Sequence, residues 1–268
     1  MTAIPRPPRI GPVGHLWPGV AALVIVLAGA ATPSRAADPP TLTIFAAADL
    51  AFALRDLAPR FEKAHGVKLS LVLGSTGNLA RQIEHGAPAD LFFAANESFV
   101  DDLARVGAVI PATKGLYAQG RLVLATSRAF GPKLTDLRQL AEARVRRVAI
   151  ANPQHAPYGK AAEQALRKVG LWEAVQPKLV YGENIRHTLQ FLQTGATDAG
   201  IVALSVASVP EIDWVAIDPA LHAPLNQVVA VVRKSGRPEL GLAFIQFIGG
   251  PEGRRIMKSY GFLLPGEF

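Results

Sequence analysis

The 268-residue chain contains no cysteine. That excludes disulfides, a thiol nucleophile, thiolate metal sites and the cysteine that a lipoprotein anchor requires. Long hydrophobic runs are nearly as scarce. Residues 20–31 (VAALVIVLAGAA) form an apolar run of about a dozen residues, short of the ~20 needed to span a bilayer as a helix. Beyond residue 40 no run is long enough to cross a membrane. No Lys/Arg-rich block, zinc-ligand spacing or helix-turn-helix signal is present, so nothing points to nucleic acid. G-x-S-x-G, H-E-x-x-H and a recognisable Ser-His-Asp motif are also missing, which argues against an enzyme. Short internal repeats and low-complexity tracts do not occur.

What is present begins at the N-terminus. Arg6 and Arg9 precede the apolar run, and Ser34-Arg35-Ala36-Ala37 supplies a small-x-small pattern after it. Basic, apolar and small-residue regions in that order predict a secretory signal peptide over residues 1–36 and a periplasmic, soluble mature protein. Arg6, Arg9 and Arg35 would leave with it, taking the formal charge from +7 to about +4. The remaining surplus is diffuse and gives a weak attraction for anions. About 230 residues remain, enough for one large core or two lobes.

Along that stretch the pattern alternates. Residues 42–47 (LTIFAA) read as a buried strand, and Asp49 stands where an N-cap belongs before the helical spacing of Leu50, Leu54, Leu57 and Phe61. Residues 67–73 alternate as a strand, residues 79–83 open a helix, residues 89–94 form a third strand, and residues 98–106 a helix. This β-α-β-α-β-α order predicts an α/β fold with a mainly parallel sheet. A strand at 122–126 and a short helix at 134–141 lead to a second unit, with strands at 148–151, 179–181 and 199–203 and helices at 160–169 and 184–193. A late strand at 228–232 and helices at 240–248 and 251–259 close the chain. Two such units predict two lobes, residues 38–121 with 229–268 and residues 122–228, with a ligand in the cleft near the C-terminal ends of the strands.

Three strand-to-helix turns stand out: Ala46-Ala47-Ala48-Asp49, Gly74-Ser75-Thr76-Gly77-Asn78 and His155-Ala156-Pro157-Tyr158-Gly159. Small residues let a ligand approach the backbone, and free amides at a helix start make an anion cradle. Each alone reads equally as an ordinary cap or turn; their recurrence at three strand ends carries the argument.

The segments FAAADL, GSTGNLARQIEHGAPADLFFAA, ANPQHAPYGKAAEQAL, YGENIRHTLQFL, GIVALS and GPEGRRIMKSYGF give the chain a specific resemblance. From residue 42 to 262 it resembles the periplasmic molybdate-binding proteins of ABC importers. The resemblance implies the class II periplasmic-binding-protein fold: two α/β lobes joined by a two-strand hinge. It implies no cofactor and no catalysis. The ligand would be a tetrahedral oxyanion, molybdate or tungstate, and the partner an ABC-transporter permease served by a monomer. The donors it implies are Thr76 through hydroxyl and amide, Tyr158 through its amide and also its hydroxyl, and Ile185 through its amide. These three would hold the metal as its oxyanion, meeting oxygens only. Ala48, Asp49 and Ser75 complete the expected lining. Charge-assisted hydrogen bonds of about 1.5–3 kcal/mol each would replace hydration, without a buried counter-charge.

Two departures stand out. Ala203 occupies a position where some members carry a tyrosine, a role Tyr158 would take over. Asp49 stands where Ser or Asn donates in others. Two unit charges 4 Å apart at an effective dielectric of 20 repel by about 4 kcal/mol, and a dianion roughly doubles that. Three readings follow for Asp49. Its carboxylate caps its own helix and only amides face the ligand; or it is protonated; or the ligand is another oxyanion, or a cation or amine. Capping is the plainest of these. His155 is expected to be structural or solvated, Arg81 and Arg186 to stay out of the site, and Trp172, Trp214 and Phe191 to be core. An Asp49–His155 acid–base pair is the one enzymatic reading the residues offer. A LysR-type effector domain shares the fold class, but a signal peptide without a DNA-binding domain excludes it.

Overall fold

A computed structural model of the chain describes residues 39–268. The segment 1–36, read above as a signal peptide, lies outside the described residues. The first lobe opens with β1 (Thr41–Ala47), a 3-10 turn (Ala48–Leu50) and α1 (Ala51–His65). It continues through β2 (Lys68–Gly74), α2 (Thr76–Glu84), β3 (Leu91–Ala94), α3 (Glu97–Arg105) and β4 (Gly115–Gly120). The second lobe holds β5 (Leu122–Ser127), β6 (Val148–Ala151), α4 (Pro157–Lys168), α5 (Trp172–Val175), β7 (Leu179–Gly182), α6 (Ile185–Gln193), β8 (Ala199–Ala203) and β9 (Ile212–Ala216). The chain then returns through β10 (Leu225–Val231), α7 (Pro238–Gly249) and α8 (Pro251–Ser259).

The strands build two five-stranded sheets, ordered β2-β1-β3-β10-β4 and β7-β6-β8-β5-β9. Their inner strands are continuous apolar runs, LFFA in β3, VAIA in β6 and AGIVA in β8, buried along their whole length, as helices on both faces require. On one face of the first sheet Leu54, Leu57 and Phe61 of α1 pack with Phe244 of α7 and Met257 of α8. This is the helical stripe that the sequence spacing anticipates. α1 ends at Gly66, whose φ of 64° closes the helix in the left-handed region. The opposite face is filled by Leu79, Ile83, Val100 and Leu103 of α2 and α3. The second lobe has its own core around Val123, Ile150, Leu166 and Leu189.

Several details depart from the sequence reading. The sheets are mixed: β10 runs antiparallel to β3 and β4, and β5 antiparallel to β8 and β9. These are the strands that receive the chain after it crosses between lobes. The short helix expected at 134–141 is a 3-10 turn, Leu137–Ala141, held by an Asp136 and Gln139 capping box. The return crossing precedes Leu225 rather than lying near Val228, because Asn226 and Gln227 follow Leu225 at the start of β10 and their polarity hid the strand. Trp172 is buried, Phe191 is half-buried, and Trp214 on the outer strand β9 is 37% exposed rather than core. Among the described residues no helix is long and apolar enough to cross a membrane.

Candidate oxyanion site

Four helices begin at the interlobe cleft, following β1, β2, β6 and β7. Their first residues, Ala48, Asp49, Ser75, Thr76, Tyr158 and Ile185, line one small cavity together with Ala47, Gly74, Ala95, Ala156 and Pro157. All six residues expected to bind the ligand are therefore brought together. The cavity volume is about 10 Å³, the room of a single water. Two larger hollows, about 190 and 320 Å³, flank His155; neither brings the four helix starts together.

The amides at a helix start have no intrahelical acceptor. In α6 the accounting singles out one of them. The Asn184 side chain accepts from the amides of Arg186 and His187, and its carbonyl accepts from Thr188. The Ile185 amide is left over, at the cavity. In α4, Pro157 has no N–H, so Tyr158 carries the first amide of the helix. In α2 the Thr76 hydroxyl oxygen accepts from the Ala95 amide at 3.1 Å, which frees its own proton to donate. Thr76, Tyr158 and Ile185 are all buried. No lysine or arginine lines the cavity, so positive potential there comes from helix ends and fixed dipoles.

Asp49 is the exception, and the capping reading is overturned. Neither the 3-10 turn nor α1 has a side-chain cap hydrogen bond. The carboxylate turns instead inward: Oδ2 accepts from the Tyr158 hydroxyl of the other lobe at 2.9 Å and from Nε2 of Gln227 on β10 at 3.0 Å. Oδ1 is buried with no partner of good geometry. Gln227 Nε2 also donates to the Tyr158 oxygen, and the Tyr117 hydroxyl donates to Gln227 Oε1. Ser205 donates from the second lobe to the Asp49 carbonyl at 2.8 Å. Burial pushes the Asp49 carboxyl up from 3.8 to about 7, against the downward pull of Tyr158, its own amide, Gln227 and the Leu50 amide. Burial, and then the Asp49 charge, hold the hydroxyls of Tyr117 and Tyr158 well above the usual phenol range. The Tyr158 hydroxyl is thus committed to Asp49.

At the rim His155 joins the lobes. Its carbonyl accepts from the Gly77 amide at 2.9 Å and its Nδ1 lies 2.8 Å from the Ser75 hydroxyl. A Cβ at Gly77 would meet that carbonyl oxygen at 2.9 Å. Burial lowers the His155 pKa, with Glu183 raising it and Arg81 lowering it. Asn78 donates to Glu183 across the cleft at 2.7 Å. Arg81 bonds to Asn78, and Arg186 lies over the Phe52 ring, 4.6 Å from its centroid; neither lines the cavity. Asp49 and His155 have no hydrogen bond between them, so the acid–base pairing is not formed. Gln227, Tyr117, Ser205 and Glu183 were missed in the sequence, whereas Gly77 belongs to one of the turns singled out there. Only Gln227 left a trace there, as a polar residue abutting an apolar strand.

Comparison with known proteins follows the same line. Residues 42–263 match the family model described as bacterial extracellular solute-binding protein. The chain is 34% identical to a molybdate-binding protein ModA of Escherichia coli (strain K12), over 91% of this chain and 95% of that one. It is 32% identical to ModA of Azotobacter vinelandii, over 89% and 96%. The solved Azotobacter vinelandii periplasmic molybdate-binding protein superposes with a TM-score of 0.77 at 30% identity, covering 84% of this chain and 99% of that one.

Proposed function

This chain belongs to the family of bacterial extracellular solute-binding proteins, and on that footing we propose that it captures molybdate or tungstate in the periplasm for an ABC importer. The observation that carries the ligand class is the convergence of four helix starts on one small cavity. The amides of Ala48, Thr76, Tyr158 and Ile185, with the Thr76 hydroxyl, form a cage of neutral donors around a space no cation shares. Such a cage suits a compact oxyanion. Each hydrogen bond to the charged ligand contributes about 1.5–3 kcal/mol, and no buried ion pair has to be desolvated. The relatives' names supply the molybdenum. Lobe one, residues 39–121 with the return from Leu225, and lobe two between them would close on the ligand, as a monomer, and present it to a membrane permease.

Titration calorimetry with molybdate, tungstate, sulfate and phosphate tests this. Micromolar or tighter binding of the first two, with the others refused, is the expected result. Silence for all four would sink the reading.

A further inference from the structure

Asp49 poses a problem for any dianion in this cavity. An ionised carboxylate lining the same space would repel it by several kcal/mol. No ion pair among the described residues includes Asp49. The hydrogen bonds resolve the problem by distinguishing the two oxygens. Oδ2 accepts two, from Tyr158 and Gln227, and so plays the part of a carbonyl oxygen. Oδ1 has no hydrogen bond of good geometry, with only the Asp49 and Leu50 amides near the carboxylate; it is buried and belongs to a residue lining the cavity. A proton placed on Oδ1 turns the misplaced acceptor into the donor that the site otherwise lacks at this position.

We propose that Asp49 binds the oxyanion as the neutral acid, donating from Oδ1 to a ligand oxygen while Oδ2 accepts from Tyr158 and Gln227. This rests on the oxyanion reading above and deepens it: each captured dianion brings one proton from solvent into the closed cleft. The groups facing the carboxyl from the surrounding elements agree. Tyr158 on α4 and Tyr117 on β4 stay protonated. Gln227 on β10 and Ser205 are neutral. On α1 and α6, Arg55 and Arg186 pack against Phe52 instead. His155 is coupled to Glu183 and Arg81 and hydrogen-bonds to Ser75, not Asp49. Without ligand the closed cleft already favours the acid, with the carboxyl at about 7, and a dianion beside it raises that further. When the cleft opens, the carboxyl regains water and releases its proton as the anion leaves.

The test is calorimetry of the wild-type protein with molybdate from pH 6 to 9, in buffers of different ionisation enthalpy, which counts protons directly. Proton uptake that rises toward one per ligand as pH passes above 7, with affinity falling about tenfold per pH unit there, is expected. An infrared band of a protonated carboxylic acid should persist in the complex at pH 8. Asp49→Asn keeps the same hydrogen-bond polarity, acceptor toward Tyr158 and donor toward the ligand. It should abolish the uptake, flatten the pH profile and bind at least about tenfold more tightly at pH 8. His155→Gln separates the other candidate proton acceptor and should still take up the proton. Molybdate binding with no proton uptake overturns the inference and leaves the oxyanion reading standing. So does uptake that survives in Asp49→Asn. A preference for phosphate, which can bring its own proton to an ionised Asp49, overturns both, as does failure of wild type and variant to bind any oxyanion.

Discussion

The two lobes share a plan and differ in how they face the cleft. Each is a five-stranded sheet in which three parallel strands are followed by an antiparallel one, β2-β1-β3-β10 in the first and β7-β6-β8-β5 in the second. Each directs two helix starts at the cavity. The first lobe meets the cavity with side chains as well as amides: the Asp49 carboxyl and the Thr76 hydroxyl. The second meets it with the amides of Tyr158 and Ile185, while the Tyr158 hydroxyl reaches back to serve Asp49. The second lobe's contribution is thus set by where its backbone runs, and the first lobe's also by which residues it carries. Tuning of charge and proton balance belongs to the first lobe.

The comparison breaks most sharply if the backbone of the second lobe is moved. Gly159 follows Tyr158, and a Cβ there would collide with the carbonyl oxygen of Ala151 on β6. Gly159→Ala must lift the start of α4 and carry the Tyr158 amide with it. Calorimetry should show a loss of about a hundredfold or more, the worth of one to two charge-assisted hydrogen bonds. The first lobe answers to side-chain chemistry. Thr76→Val removes a donor and strands the Ala95 amide that the hydroxyl now accepts. We expect a loss of about tenfold to a hundredfold in molybdate affinity, with Thr76→Ser restoring most of it. If Thr76→Val binds like wild type, the first lobe too works through its backbone alone.

This difference also decides what the sequence could reveal. Alternating strands and helices were legible because buried apolar runs and the 3.6-residue stripe of α1 are local patterns. The turns at 46–49, 74–78 and 155–159 were legible as small or hydroxyl residues at strand ends, where the topology must place a ligand; Ile185 came only from the family resemblance. The Asp49 arrangement was not. Its partners lie 109 and 178 residues away in the chain, and beside LAFAL an aspartate reads as a helix cap. The strands β4 and β9 were missed for a related reason: GLYAQG and IDWVA show no clean apolar run, and they form because a neighbour in the sheet offers them an edge.

A milder perturbation of the second lobe sharpens the claim that its donors are the amides. Asn184 caps α6 by accepting from the Arg186 and His187 amides. Asn184→Ala frees those amides without moving the Ile185 side chain. A lost N-cap costs roughly 1 kcal/mol, to be read as a lowered melting temperature. Affinity should fall by about fivefold through loosening of the first turn. A much larger loss would mean that Asn184 itself reaches the ligand.

The smallest effect is expected where the residue looks most like a ligand. Tyr158→Phe deletes the hydroxyl that reaches Asp49 and leaves the amide at the cavity untouched. At pH 6, where Asp49 is already neutral, affinity should change by no more than about threefold, within the net worth of one neutral hydrogen bond. The pH profile should respond more clearly. The Tyr158 hydroxyl pulls the Asp49 pKa downward, so its removal favours the neutral acid. Because the closed-state pKa lies above the ordinary carboxyl value, closure takes up a proton between 3.8 and about 7. It is therefore fully favoured at low pH and weakened as pH rises through 7. In Tyr158→Phe that weakening should extend to higher pH, readable as the closed fraction of the ligand-free protein in small-angle scattering. A fall in affinity at pH 6 as large as that of Thr76→Val would instead place the hydroxyl on the ligand, and the two lobes would no longer differ in kind.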